Sequence, residues 1–172
     1  GLENARAVAA AAQGTARVVF GAQNTSVEVN GTDTDFFIAR DWDISSGRIF
    51  TESEIRSGTN VCVVGETVRK LFFGAGDPAG QSVRVGKMSC RIIGVLGVKG
   101  TSGFGQDQDN VVIMPLTTYQ RRIAGDRDID TIYVSAKDGV ATSKVQDEIE
   151  LILRETRRIA PDGDNNFDVR DM

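Results

Sequence analysis

Residues 59–99 read TNVCVVGETVRKLFFGAGDPAGQSVRVGKMSCRIIGVLGVK, and this stretch carries the clearest structural pattern in the chain. The uninterrupted apolar run 61–64 predicts a short buried strand, which Gly65 ends. A helix is predicted over residues 66–73 because Gly74 follows them and their apolar side chains recur at helical spacing: Val68, Leu71 and Phe72.

The second half of the same stretch predicts a hairpin. Val83 and Val85 alternate with polar residues, Gly86 and Lys87 form the turn, and residues 90–98 make up a longer apolar strand. The whole stretch therefore predicts a strand, a short helix and a hairpin. Such a unit buries apolar surface well, and it carries no evident catalytic chemistry.

Outside this stretch, single helices alternate with strands. The Ala-rich residues 2–13 predict a helix, and Thr51 with Glu54 three positions later forms the capping box of another. Residues 142–159 predict the longest helix. The remaining apolar runs predict a short helix at 116–123 and strands at 16–20, 25–29, 111–114, 131–135 and 167–169. This order of elements predicts an α+β fold with a mixed sheet.

Composition excludes several classes of function. A chain of 172 residues, 40% hydrophobic and 26% charged, is typical of a globular domain. The net charge of −4 argues against nucleic-acid binding, because no basic field would attract phosphates. No apolar run reaches the roughly 18 residues of a membrane-spanning helix. Histidine is absent, which excludes Ser-His and Cys-His nucleophilic pairs and histidine-based metal sites.

The two cysteines, Cys62 and Cys90, both lie in predicted strands. Free cysteine is often buried as a small apolar side chain. The alternative is a disulfide between neighbouring strands, which implies an oxidising compartment. The sequence leaves both interpretations open.

No motif indicates a catalytic, cofactor-binding or metal-binding residue. The aspartates of residues 126–130 begin like a calcium loop, but Thr131 and Lys137 stand where such a loop needs Gly and Glu. Residues 80–87, GQSVRVGK, have the wrong glycine spacing for a phosphate loop and lie on a hairpin.

Residues 100–109 form the most glycine-rich loop, between two predicted strands. Loops of this length often serve as contact surfaces or lids, and a plain connection without a partner is the alternative. We predict a partner-contact surface made by the following residues of this loop: Gly100, Gly103, Phe104, Gly105, Gln106, Asp107, Gln108 and Asp109.

An ordered set of motifs resembles one protein family. The set comprises Asp35-Phe36-Phe37, SSGRIF (45–50), VCVVGETVRKLFFG (61–74), DPAGQSVRVG (77–86), CRIIGVLGVKG (90–100) and GFGQDQDNVVIMP (103–115). In this order the motifs resemble the extracytoplasmic domain of the MacB/FtsX-like ABC transporter permeases, the MacB-type periplasmic core domain.

The resemblance implies a fold of two lobes. A porter-like β-α-β lobe would be built from both chain ends, residues 1–50 and 137–172, and would lack its first strand. A Sabre-like inserted lobe, mixed α/β with a mainly antiparallel sheet, would comprise residues 51–136. The periplasmic setting that the resemblance implies also favours a Cys62–Cys90 disulfide.

The resemblance also implies a function. The chain would be a non-catalytic extracytoplasmic domain of an inner-membrane permease, without cofactors, that couples cytoplasmic ATP hydrolysis to movement in the periplasm during export. The implied partners are a second permease copy, a membrane-fusion adaptor, an outer-membrane channel and a cytoplasmic ATPase domain. One alternative is a ligand- or peptide-sensing module without export. Another is a hydrolase using carboxylates, although no pair of acidic residues stands out.

Overall fold

A computed structural model describes residues 5–101, 103, 105–125, 129, 131–136 and 168–171. The strands are β1 (Ala5–Phe20), β2 (Gln23–Thr32), β3 (Ile44–Gly47), β4 (Val61–Val64), β5 (Ser82–Val85), β6 (Met88–Leu96), β7 (Val111–Pro115), β8 (Thr131–Ala136) and β9 (Asp168–Asp171). The helices are α1 (Asp35–Ala39), α2 (Glu52–Ser57), α3 (Glu66–Phe73) and α4 (Leu116–Tyr119), which continues into a π-helical turn, Gln120–Ala124.

The N-terminal segment is a strand, so the helix predicted for residues 2–13 is wrong. Alanine favours helix locally, but β1 is paired along its length, with β8 over residues 5–11 and with β2 over residues 11–20. Tertiary pairing thus overrides a weak local preference. The inference that a first strand is missing depended on that helix and loses its support.

The strand pairings close on themselves. Starting from β1, they run through β2, β7, β4, β6 and β5 and return to β1, where Val18 pairs with Val85. The neighbours β2–β7, β4–β6 and β8–β9 are parallel, and the other described pairs are antiparallel. The result is a small barrel-like circuit, to which β1 joins β8 and β9.

The described core consists of two apolar clusters on opposite faces of this sheet. The first fills the circuit and is covered by α3 and α4; its larger members include Val18, Val29, Val64, Phe72, Ile92, Met114 and Tyr119. The second lies between the outer face of β4, β6 and β7 and helix α1, and includes Ala9, Phe36, Phe37, Trp42, Phe50, Val63, Leu96 and Ile113. Because β1 contributes to both clusters, neither core is independent of it.

Two glycines create the space for a side chain that covers the first cluster. A Cβ at Gly31 would lie 2.2 Å from Cβ of Tyr119, and one at Gly14 would lie 2.4 Å from its hydroxyl oxygen. Tyr119 is 5% exposed. The neighbouring strands β1 and β2 therefore both need glycine at the positions that the Tyr119 ring covers.

Most of the predicted unit at residues 59–99 is confirmed. Strand β4 and helix α3 have the predicted bounds, and the hairpin forms between β5 and β6. The capping box also forms, since the Thr51 hydroxyl accepts from Glu54 N at 3.2 Å and the Glu54 carboxylate accepts from Thr51 N at 2.8 Å. Leu71 is the exception, because it is 43% exposed. The helix predicted at 142–159 lies outside the described residues.

The predicted combination of a few helices with a mixed sheet is confirmed. The division into lobes of residues 1–50 with 137–172 and of residues 51–136 stays a prediction. The pairings of β1 with β5 and of β2 with β7 join segments that this division assigns to different lobes.

Candidate partner-contact surface

The glycine-rich loop connects the end of β6 to the start of β7. It is closed by a bridge between Thr101 and Asp107 and by a hydrogen bond of 3.1 Å from Gln108 N to the Gly100 carbonyl. These contacts bring the two arms of the loop together and leave its tip, around Gly103 and Gly105, exposed. The loop thus projects from a closed base.

Asp109 holds that base. Its side chain is 5% exposed, and its two carboxylate oxygens accept hydrogen bonds from Lys99 N at 2.7 Å and Gly100 N at 2.9 Å. A carboxylate that accepts backbone N–H bonds makes charge-assisted interactions of about twice the ordinary strength. The prediction that Asp109 contacts a partner is therefore corrected: its carboxylate is buried and is used within the loop.

Asp107 connects the loop to helix α3. One carboxylate oxygen accepts from the Thr67 hydroxyl at 2.6 Å, and the other accepts from Asp109 N at 2.9 Å. On the opposite side, Asn110 donates its amide to the Ser26 carbonyl at 3.1 Å, which fixes the loop base against β2. The exposed tip is therefore carried by contacts to both a helix and a strand.

The remaining predicted residues of the loop differ in exposure. Gly103, Gly105, Gln106 and Asp107 are exposed, and Gly100 and Gln108 are partly buried. Phe104 lies outside the described residues. The partner-contact role stays a prediction for the exposed members.

An open cleft of about 430 Å³ separates the loop from the β1–β2 hairpin; we call it the loop cleft. Its polar lining comes from both walls: Gln13, Thr15, Ser26, Glu28, Gln106, Asp107 and Asn110. Its ionisable side chains are carboxylates. The cleft therefore favours hydrogen-bonding or basic groups over anions.

A second set of contacts, at the end of β6, was not predicted from the sequence. The Lys99 ammonium donates to the carbonyls of Arg40 and Asp41. It also lies 5.7 Å from the ring centre of Trp42. The indole N–H of Trp42 donates to the Gly97 carbonyl at 2.9 Å. The single tryptophan in an Arg-Asp-Trp-Asp run was the only sequence signal for these contacts.

The two cysteines are fully buried free thiols on the neighbouring strands β4 and β6. Burial first, and then a hydrogen bond with the Cys62 thiol, raise the pKa of Cys90 far above its usual value. The predicted disulfide is not formed in the structure. Cys62 pairs with Ile92, so Cys90 is offset by two residues, and strand geometry puts the two Cα atoms about 8 Å apart, beyond the ~7 Å that a disulfide spans.

One carboxyl group outside the loop has a strongly shifted pKa. Burial, and then the charge of Asp35, raise the pKa of Asp33 to about 6, although its carboxylate accepts a hydrogen bond of 3.1 Å from Asp35 N. Asp33 lies between β2 and α1, away from the loop.

Among the described residues, no group of three or more acidic or cysteine side chains is placed to hold a metal ion.

The sequence profile of one family covers nearly all of this architecture. The profile of MacB-like periplasmic core domains matches residues 2–152. The chain belongs to the MacB-like periplasmic core domain family. Its predicted extracytoplasmic location and its resemblance to this family are thereby confirmed.

Curated relatives of this MacB-like domain are longer proteins. A macrolide export ATP-binding/permease protein MacB of Chlorobium luteolum is 31% identical over 97% of the chain, and one of Rhodospirillum rubrum is 36% identical over 83% of it. The chain spans about a quarter of the length of the first relative and about a fifth of the second, 25% and 21%.

Solved structures share the fold of this MacB-like domain. The periplasmic region of MacB from Actinobacillus actinomycetemcomitans matches 90% of the chain and 68% of its own length, with a TM-score of 0.72 at 22% identity. The extracellular domain of the noncanonic ABC-type transporter YknZ from Gram-positive bacteria matches 91% of the chain and 79% of its own length, with a TM-score of 0.72 at 19% identity. Within the described residues, no helix is both long and apolar enough to cross a membrane.

Proposed function

We propose that this chain is the non-catalytic extracytoplasmic domain of an ABC transporter permease, and that it passes movement driven by ATP hydrolysis in a separate domain to a partner in the periplasm. Its family supports the setting, and two of its relatives are named macrolide export permeases. The proposed partners are a second permease copy, a membrane-fusion adaptor, an outer-membrane channel and the cytoplasmic ATPase domain.

The continuity of β1 is the observation that carries the proposal. The strand has 16 residues, about 50 Å at the usual rise, and runs from its pairing with β8 into the barrel-like circuit. At Ala11 it is paired on both edges, with Thr32 of β2 and Thr131 of β8. Such an element has no hinge at that point, so displacement at β8 and β9 moves the circuit with it.

The loop tip is the proposed contact for the adaptor. It is exposed, and its base is held by the buried carboxylate of Asp109 and by the bond from Thr67 to Asp107. A rigid contact loop loses less conformational entropy on binding than a flexible one.

The experiment places a large side chain at the tip. Gly103 has no other atom within 4 Å of an added Cβ and no left-handed backbone, so Gly103→Arg adds bulk without an internal clash. The matched control is Ala75→Arg, at the exposed turn beyond α3. Each variant is made in a permease that carries this domain with its ATPase domain, and adaptor binding and ATP hydrolysis are measured.

We expect Gly103→Arg to weaken adaptor binding about tenfold, a loss of roughly 1.4 kcal/mol, and to abolish the stimulation of ATPase activity by the adaptor. Basal ATPase activity and the Ala75→Arg variant should be unchanged. Equal adaptor binding by both variants would exclude the loop tip as the contact.

A ligand-sensing function is the second candidate, and the loop cleft favours it. Its volume of about 430 Å³ falls within the range of small-molecule sites. A saturable rise in Tm with a peptide or lipid, lost in Glu28→Gln, would support sensing. A rise that persists in Glu28→Gln would exclude this cleft as the binding site.

A further inference from the structure

A second groove lies between α1 and the segment that follows it, on the side of the second apolar cluster; we call it the Trp42 groove. Its volume is about 360 Å³, and its apolar walls are Phe37, Ile38, Trp42 and Ile49. Ile38 is 46% exposed, on a helix whose two phenylalanines are buried. The groove therefore offers apolar surface that the described part of the chain leaves uncovered.

The rim of the groove is acidic. Asp41 and Asp43 line it and are exposed, and among the described residues neither carboxylate accepts a hydrogen bond or forms an ion pair. Lys99 and Arg40 contact the Trp42 ring nearby but do not line the groove. Residues 33–43 contain four aspartates and one arginine, so the local charge stays negative when Lys99 is included. The complement of this surface is a cation attached to an apolar group.

The backbone at the rim is strained. Asp41 has φ of +49°, the left-handed region that residues other than glycine rarely adopt. The strain is held in place by the bond from Asp41 N to the Ile38 carbonyl, 3.1 Å, and by the donation of Lys99 to the Asp41 carbonyl, 3.3 Å. Residues in such sparsely populated conformations cluster at ligand-binding sites.

Residues on both flanks of strand β3 line the groove, and among the described residues the second edge of β3 carries no paired strand. Asp43 directly precedes β3 and Ile49 follows it closely, and within the described residues β3 pairs only with β6. An extended chain can add to such an edge through backbone hydrogen bonds while alternate side chains enter adjacent pockets. An extended peptide uses the edge and the groove together, which a small amine cannot do.

We propose that the Trp42 groove and the free edge of β3 bind an extended segment of a partner protein that carries a basic side chain beside an apolar one. The apolar side chain lies against Ile38 and Trp42, and the basic side chain lies near Asp41 and Asp43. This surface is distinct from the loop tip, so the proposal does not depend on adaptor docking there.

The single tryptophan makes the test specific for this groove, because all tryptophan emission comes from Trp42. The 172-residue chain is titrated with a heptapeptide of alternating Lys and Leu, and with a Glu–Leu peptide of the same length. Leucinamide serves as a small apolar amine. We expect a saturable emission change with the Lys–Leu peptide alone, and a reduced affinity at higher salt.

The variants separate a specific site from general attraction to an acidic protein. Asp41→Asn and Asp43→Asn are isosteric, and Asn tolerates the left-handed backbone at position 41. Each should weaken peptide binding up to about fivefold, the weight of one exposed ion pair, and Ile38→Ser should weaken it further. Asp77→Asn removes one exposed carboxylate from the turn beyond α3, keeps an acceptor for Ala79 N, and should change nothing.

Several results would overturn the proposal. One is an unchanged emission with the Lys–Leu peptide. Another is equal weakening by Asp77→Asn, which would indicate non-specific attraction. Equal affinity for leucinamide would exclude an extended occupant. A concentration-dependent emission change without any peptide would assign the groove to a second copy of this chain.

Discussion

Replacing Asp109 by Asn tests whether the loop base depends on one buried carboxylate. The two carboxylate oxygens each accept from a backbone N–H, of Lys99 at 2.7 Å and of Gly100 at 2.9 Å. Asn keeps one accepting oxygen but turns an N–H₂ group toward the other N–H, which can only donate. One charge-assisted bond is lost and a buried donor is left unsatisfied.

The expected cost follows from those two changes. A hydrogen bond to a charged group contributes about 1.5–3 kcal/mol, and leaving a buried donor unsatisfied costs a similar amount. Because the loop can relax in part, we expect the free energy of unfolding to fall by about 2–3 kcal/mol in total. For a chain of this size, that loss corresponds to a Tm lowered by roughly 5–10 °C.

Asp107→Asn is the matched control. Asp107 also accepts two hydrogen bonds, but it is exposed, and one donor is the Thr67 hydroxyl, which can reverse its role and accept from the new amide. We expect a loss below about 1 kcal/mol. Urea unfolding followed by circular dichroism measures both variants. If Asp109→Asn is no less stable than Asp107→Asn, the carboxylate does not hold the loop as described.

Three further predictions concern the core and its buried ionisable groups. Gly31→Ala should destabilise the fold by about 1–3 kcal/mol, since the added Cβ would lie 2.2 Å from Cβ of Tyr119; a stability equal to that of the parent would show that the ring can move away. Because the pKa of Asp33 is raised to about 6, the native state binds the proton more tightly than the unfolded chain, so stability should fall as pH rises from about 4 to about 6. Allowing for its partial exposure, the loss should be on the order of 2 kcal/mol and absent in Asp33→Asn; a pH profile identical in the variant would refute this cause. Cys62 and Cys90 should resist a thiol reagent in the native chain and give two free thiols after denaturation; no free thiol in the unfolded chain would indicate the disulfide instead.

The stretch from β4 to β6 could be predicted from the sequence because its local patterns agree with its tertiary role. The run of β4 is buried at every position, and the residues of β5 alternate between exposed and buried. The capping box of Thr51 and Glu54 is likewise a purely local signal. Where local chemistry and burial coincide, pattern and structure give the same answer.

The misassigned elements depend on partners far along the chain. Residues 5–11 are a strand because β8, more than 100 residues later, pairs with them, and nothing in an alanine run reports that partner. The state of the two cysteines could not be decided from the sequence for a related reason. Strand register determines whether Cys62 and Cys90 can bond, and their separation in sequence does not give the register. Asp109 was assigned to the surface because its loop is polar, although aspartates in turns often accept hydrogen bonds from backbone N–H groups.

The position of β1 in both cores supports the proposed mechanical role. Ala9 and Ala11 of β1 belong to the outer cluster, and Ala12 and Val18 belong to the cluster within the circuit, so one strand anchors both cores. Bending β1 near Ala11 would break pairings on both of its edges and disturb both cores at once. Because close-packed cores deform little, a movement imposed at β8 is passed on as a rigid displacement. The loop tip moves with it, since Asp107 and Asn110 hold the loop to α3 and β2.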